Sequence, residues 1–265
     1  MKITLFTSNH KRHIYLINSL KKVCSQLNVI LETTTLYHGS NKTFYNNSKI
    51  KEIYFKKVRN AESLIFRDND IKLDKKINIK ILQYGDLNFV KKNDIKKFLQ
   101  SDIYIVFGSS FIKGWLLNYL VKKKAINIHM GVSPYYKGAD CNFWALYDNN
   151  FDHVGSTVHL LNKNLDGGPI LYNAVSEFYP NPFIYSMSTT KSVINSLLYY
   201  ISNKKIHKIK PLKQNKELNI RFSRKKDFTD SAIRKYFKRT KSSKVNIKIP
   251  KLKDVYTLKV SKYFK

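Results

Sequence analysis

Apolar positions along the chain repeat with two periods, and the alternation of those periods predicts the architecture. In residues 1–7, MKITLFT, Ile3 and Leu5 stand two apart, as on the inner face of a strand. From residue 9 the spacing changes, and Ile14, Leu16, Ile17, Leu20 and Val23 fall near the helical period. Residues 29–31 are a second short apolar run. The polar stretch 35–78 shows no period; a substrate loop, a short helix at 61–66 or local disorder all fit it. Residues 79–82 then suit a strand, 94–99 a helix, and IYIVF at 103–107 a buried strand ending at Gly108. An apolar helix is predicted at 111–121 and a strand at 126–130. Beyond these come a helix at 140–147, strands at 154–161 and 170–178 around a turn at 165–168, and a helix at 186–201. Strands alternating with helices predict an α/β fold with a doubly wound, mostly parallel sheet. From residue 202 the chain turns lysine-rich, with a short helix at 231–237 and weak strand-like pieces at 245–249 and 255–260. The expected division is a core domain over 1–205 and a small basic region over 206–265, whose removal from about residue 208 should leave the core's sites in place.

Composition narrows the class. At 265 residues and 43% hydrophobic the chain can bury a full core. No run approaches the roughly 18 apolar residues of a membrane helix, and MKITLFTSNHK lacks the apolar core and cleavage site of a signal peptide. Cys24 and Cys141 give no disulfide framework, which suits a reducing cytoplasm. The net charge of +31 suggests nucleic acid, but only seven of the 49 basic residues are arginine. A dedicated phosphate reader uses arginine for its forked geometry, so the charge reads as lysine-rich surface and nucleic acid is not the expected partner.

Two stretches break the apolar pattern with chemistry. INIHMGVSPYYKGADCNFWAL, at 126–146, places Asn127 and His129 on one face of a strand while Ile126, Ile128 and Met130 face the other way. The strand then runs into a Gly- and Pro-rich loop, at the end of a parallel sheet where ligands bind. Alone, the pair also fits a hydrogen-bonded sheet cap. LDGGPIL, at 165–171, also fits a plain turn; lying between two strands that follow Asn-x-His, it can return Asp166 to the same crevice. His153 and His159 stand in no metal-ligand spacing and read as structural, as do Cys141, Phe143 and Trp144.

Together, Asn-x-His, the Pro-x-Tyr-Lys-Gly loop, the Gly-x-Thr strand and LDGG resemble the folate-dependent formyltransferases in order and spacing over roughly residues 103–171. IVFGSSFIKGWLL resembles the same family's strand–loop–helix that helps hold folate. The resemblance implies N10-formyltetrahydrofolate as co-substrate, with no metal, and carries the family's catalytic Asn, His and Asp onto Asn127, His129 and Asp166. It implies folate contacts at Gly108, Ser109, Phe111, Ile112 and Leu165, and it makes Tyr136 and Lys137 the first candidates for acceptor contacts. GVSP after the histidine departs from the family's usual apolar stretch, and Gly167 replaces a common threonine.

Of the family's acceptors, the CNFWAL wording most resembles sugar N-formyltransferases, especially those acting on GDP-perosamine-type sugars. The expected partner is therefore a GDP- or dTDP-linked aminosugar used for O-antigen or other surface polysaccharide, with a cytoplasmic location and, as in many sugar members, a homodimer. Two alternatives stay open: a methionyl-tRNA formyltransferase, favoured by +31 and the basic tail, and a non-catalytic, nucleic-acid-binding protein on this fold.

Overall fold

Strand β1 (Lys2–Ser8) sends alternate side chains to opposite layers, Ile3 and Leu5 to one and Phe6 to the other, all fully buried. It belongs to a computed structural model that describes residues 1–34, 48–67, 70–241 and 255–258. Helix α1 (Lys11–Val23) lays Leu16, Ile17 and Leu20 on the first layer. Strand β2 (Gln26–Thr33), helix α2 (Lys49–Phe66) and strand β3 (Ile77–Gln83) carry the chain to one edge. Strand β4 (Ile103–Phe107), helix α3 (Gly114–Lys122) and strand β5 (Ile126–His129) build the other side. Next come β6 (Tyr136–Gly138), α4 (Cys141–Tyr147), β7 (Ser156–Leu160), β8 (Ile170–Ser176) and α5 (Pro182–Ser202). The tail adds β9 (Arg221–Ser223), α6 (Asp230–Lys241) and β10 (Val255–Leu258).

The main sheet runs β10-β8-β7-β5-β4-β1-β2-β3, and only β7 opposes its neighbours in direction. The doubly wound, mostly parallel fold expected from the sequence is therefore present. From β1 the chain steps outward to β2 and β3, then returns to lay β4 on the other side of β1. That reversal parts the loops leaving β1 and β4 and opens a crevice at their carboxyl ends. Helices α1, α2 and α5 cover one face, while α3 packs Leu116 and Leu120 against Phe6, Ile30 and Val106 on the other.

Several element bounds differ from the sequence reading for local reasons. The helix expected at 111–121 starts at Gly114, because Asn88 holds the preceding chain extended: its amide donates to the Phe111 carbonyl and accepts from the Lys113 N–H. The segment at 94–99 is a 3₁₀ helix, Lys92–Leu99. Helix α5 starts earlier than 186 because Asn181 caps it, accepting from the Phe183 and Ile184 N–H groups. Residues 61–66 are the last turns of the 18-residue α2. Its stripe is hidden in the sequence because Glu62 is buried, paired with Arg12 at 2.7 Å. The strand-like piece at 245–249 and residues 35–47 of the polar stretch 35–78 lie outside the described residues.

Among the described residues, the tail does not form a core of its own. Ile206, Phe228, Ile233 and Tyr236 are buried in the same cluster as Tyr54, Phe143 and Phe183. The Tyr236 ring stacks on Phe143 at 4.6 Å and meets Tyr54 edge-on at 5.7 Å. The boundary at 205/206 thus marks a change in surface composition, not a gap in packing. Tyr236→Ala is expected to cost about 3–5 kcal/mol, as large aromatic truncations in cores do, and urea denaturation measures it.

Candidate active site

The carboxyl ends of β1, β4 and β5 open into a cavity of about 940 Å³, lined among others by Ser8, Phe107, Gly108, Asn127, His129 and Asp166. One buried carboxylate shapes its wall. Glu32, at the end of β2, accepts from the Gly85 N–H at 2.9 Å, the Ser110 N–H at 2.5 Å and the Ser110 hydroxyl at 2.8 Å. It thereby ties the loop after β3 to the loop after β4. Gly108 has φ of 74°, and a Cβ on it would stand 2.4 Å from Nε2 of the buried His13, so only glycine fits there.

Asn127, His129 and Asp166 meet in this cavity. The two strand residues face it from β5; Asp166 reaches it from the turn before β8, in a left-handed conformation with φ of 48°. His129 Nδ1 lies 3.3 Å from Asp166 Oδ1, and His129 Nε2 lies 3.2 Å from the Tyr136 carbonyl, which accepts from it. The Gly138 N–H donates to Asp166 Oδ2 at 3.0 Å. Asn127 is held from the neighbouring strand. In the β5–β7 register it stands opposite His159, and its Nδ2 lies 3.0 Å from His159 Nε2. His159 Nδ1 lies 2.9 Å from the Leu160 carbonyl, so Nδ1–H donates there and Nε2 accepts from the Asn127 amide. The second Nδ2 hydrogen of Asn127 remains for a ligand.

His159 is therefore more than the structural residue its spacing suggested. It is buried, fixes the amide of Asn127, and stands 3.9 Å from Asp166. The signal that could have found it is the register of two adjacent antiparallel strands, which one strand's pattern does not show. His153 does keep a structural place, against Asp152 and the Tyr135 ring.

Burial raises the Asp166 carboxyl, but the His129 charge, the His159 contacts and the Gly138 N–H outweigh it and hold it at about 2. Burial lowers His129, with the Asp166 charge opposing, which leaves a neutral imidazole able to take a proton near neutral pH. Burial also pulls His13 well below its usual value. All three groups are depressed in the folded chain, so each contributes stability above its unfolded pKa and loses it as pH falls. Thermal melts should show stability falling from about pH 6.5 as the histidines charge, and further below about pH 4 as Asp166 protonates. Replacing His13 by Asn should flatten the upper part of that fall.

The remaining sequence candidates divide. Gly108 and Ser109 line the cavity. Ile112 does not, because it is buried among Leu116, Phe98 and Val106; Phe111 and Leu165 point outward and do not line it either. Tyr136 is fully buried, its hydroxyl 2.6 Å from the Asn150 amide that donates to it, so its ring offers no face to an acceptor. Lys137 lies on β6 outside the cavity lining. The cations that do line it are Arg12, Arg59 and Lys225, with His10 and His13, and the aromatic Tyr84 stands 43% exposed among them. Phe143 and Trp144 are core residues, and both cysteines are buried and unpaired by disulfide. No helix among the described residues is long and apolar enough to cross a membrane.

Comparison with known proteins agrees with this geometry. Residues 95–191 match the formyl transferase family. The methionyl-tRNA formyltransferase of Wigglesworthia glossinidia brevipalpis is 34% identical over 128 residues, which cover 48% of this chain and 38% of that protein. Among solved structures, a sugar N-formyltransferase from Shewanella sp FDAARGOS_354 has a TM-score of 0.56 at 13% identity, over 98% of this chain and 94% of that one. An N-formyltransferase from Helicobacter canadensis, in complex with folinic acid and dTDP-3-aminofucose, has a TM-score of 0.50 at 14% identity, over 91% and 80%. Over residues 95–191, then, this chain matches the formyl transferase family, and over nearly its whole length it has the fold of a sugar N-formyltransferase.

Proposed function

We propose that the chain moves a formyl group from N10-formyltetrahydrofolate to the amine of a nucleotide-linked aminodideoxysugar, GDP- or dTDP-linked, for surface polysaccharide synthesis. The observation that carries this reading is the meeting of Asn127, His129 and Asp166 in one cavity, inside the matched residues. In the reaction the acceptor nitrogen bonds to the formyl carbon, and the bond from that carbon to N10 of the folate breaks. Negative charge that develops on the formyl oxygen is met by the free Nδ2–H of Asn127, whose other hydrogen is occupied by His159. The proton lost by the amine passes to neutral His129 and on to the departing N10, while ionised Asp166 steadies the charged imidazole. Folate enters past Gly108 and Ser109, which line the cavity.

Other residues lining the cavity suit the acceptor. Arg12, Arg59 and Lys225 place cations where a pyrophosphate would lie, and the Lys225 ammonium stands 5.8 Å from the centre of the Tyr84 ring, which can take a base on its face. The fold shared with a sugar N-formyltransferase over nearly the whole chain supports the same acceptor class.

The sequence likeness to a methionyl-tRNA formyltransferase, with the charge of +31, favours a second reading in which the acceptor is tRNA. Salt separates them. A nucleotide sugar displaces few counterions, so its KM should change modestly between low and physiological salt. A tRNA acceptor contacts many phosphates, and the logarithm of its affinity should fall with a slope of several units against the logarithm of salt concentration. Tight, steeply salt-dependent tRNA binding with no saturable nucleotide-sugar binding would overturn the sugar reading.

A further inference from the structure

The formyl transferase match ends at residue 191, yet the loops that hold Asp166 are tied together by chain well beyond it. Asp166 needs such support. It sits in the left-handed region, which residues with a side chain seldom adopt. One side-chain amide spans its turn. Gln214 Nε2 donates to the Asp166 carbonyl at 2.8 Å and to the Gly168 carbonyl at 2.7 Å. Gln214 Oε1 is buried without a partner, so the side chain accepts an unsatisfied acceptor in order to place its donors on those two carbonyls.

Gln214 is itself held on both sides. Before it, Leu212 and Ile170 exchange two backbone hydrogen bonds of 2.8 Å, which fix residue 212 to the start of β8. After it, Asn219 Nδ2 donates to the Pro134 carbonyl at 3.0 Å, and the Ile220 N–H donates to the Tyr135 carbonyl at 2.8 Å. Strand β9 then pairs with β6 from Tyr136 to Gly138. The approach is close enough that a Cβ on Gly138, with φ of 92°, would stand 2.0 Å from the Ser223 carbonyl oxygen. Gly138 is the residue whose N–H holds Asp166 Oδ2. One continuous segment thus grips Asp166 from the turn that carries it and from the strand that binds its carboxylate.

We propose that residues 212–223 form a strap that sets the reacting geometry from outside the matched domain, with Gln214 as a positioning residue for Asp166. The proposal rests on the reading of Asp166 and His129 as the proton-handling pair. Gln214 touches no substrate in this account; it acts by keeping the Asp166 carboxylate 3.3 Å from His129 Nδ1.

The test is Gln214→Leu, which keeps the bulk and removes both donors, with Gln214→Met as a second uncharged replacement should leucine impair folding. Either folded variant should lose kcat on the order of ten- to a hundredfold, the scale of a 1 Å misplacement, with the KM values for folate and acceptor unchanged. In substrate-free protein, the His129 imidazole, followed by NMR, should titrate at lower pH than in the unaltered chain. The charge that opposes its burial will have moved away. The acid limb of the pH–rate profile should shift the same way. A folded variant with unaltered kcat and an unshifted His129 titration would overturn the strap. An unaltered chain that formylates no acceptor would instead defeat the functional reading, while the substrate-free titration would still decide the role of Gln214.

Discussion

His129→Ala lowers turnover by about a hundred- to a thousandfold, the expected range when a proton carrier is removed from a reacting centre. Nucleotide-sugar affinity stays near its original value, because Arg12, Arg59 and Lys225, the cations proposed to meet the pyrophosphate, are unchanged. Asn127→Ala produces a loss of similar size for a different reason. It removes the donor that meets charge on the formyl oxygen and leaves His159 Nε2 without its partner. The two variants differ in pH dependence. The Asn127 variant keeps the acid limb set by His129, and the His129 variant loses it. Steady-state kinetics across pH 5 to about 9, with binding of the acceptor followed separately, checks both effects.

Removing residues 206–265 abolishes turnover and leaves a chain that does not melt cooperatively. The sequence alone suggests the opposite, because every matched motif ends by Leu171 and the tail reads as a basic appendage. The structure places Phe228, Ile233 and Tyr236 against Tyr54, Phe143 and Phe183, so truncation uncovers three aromatic rings and opens the core. Burial of such side chains is worth roughly 1.5–3 kcal/mol each, and their combined loss exceeds much of the margin of an ordinary domain. The Arg221 guanidinium would go too, and with it a two-pronged pair on Asp148 at 2.9 and 2.7 Å and the stack over Trp144 at 4.6 Å. A soluble, cooperatively melting truncated chain with turnover intact would show that the tail is dispensable. Calorimetry and the formylation assay on the same preparation read both outcomes.

What the sequence made legible follows from how far each signal travels along the chain. Asn127 and His129 were readable because a strand's period of two is local, and two polar residues inside an apolar strand have few explanations. Asp166 was readable because the glycines beside it mark a turn between two strands. His159 was hidden, since its role depends on which residue of β5 faces it across the sheet. Tyr136 was misread for the same reason. Its loop becomes strand β6 only because β9, far along the chain, pairs with it and buries the ring. Helix α2 was obscured by Glu62, a charged residue in a core position made tolerable by Arg12 from α1. The strap through Gln214 carries no motif at all; its hydrogen bonds go to backbone carbonyls, which any sequence presents.

The central claim is that Asn127, His129 and Asp166 transfer a formyl group to an aminosugar. Incubating the chain with N10-formyltetrahydrofolate and a panel of GDP-, dTDP- and UDP-linked 4-amino-4,6-dideoxysugars, with initiator methionyl-tRNA alongside, tests it most directly. Mass spectrometry of the products reads the result. The account predicts a formamido sugar from at least one of the panel, its formation reduced at least a hundredfold by His129→Ala, and little formylation of the tRNA. Efficient formylation of methionyl-tRNA with every sugar left unmodified would contradict the acceptor, and a His129→Ala chain as fast as the original would contradict the chemistry.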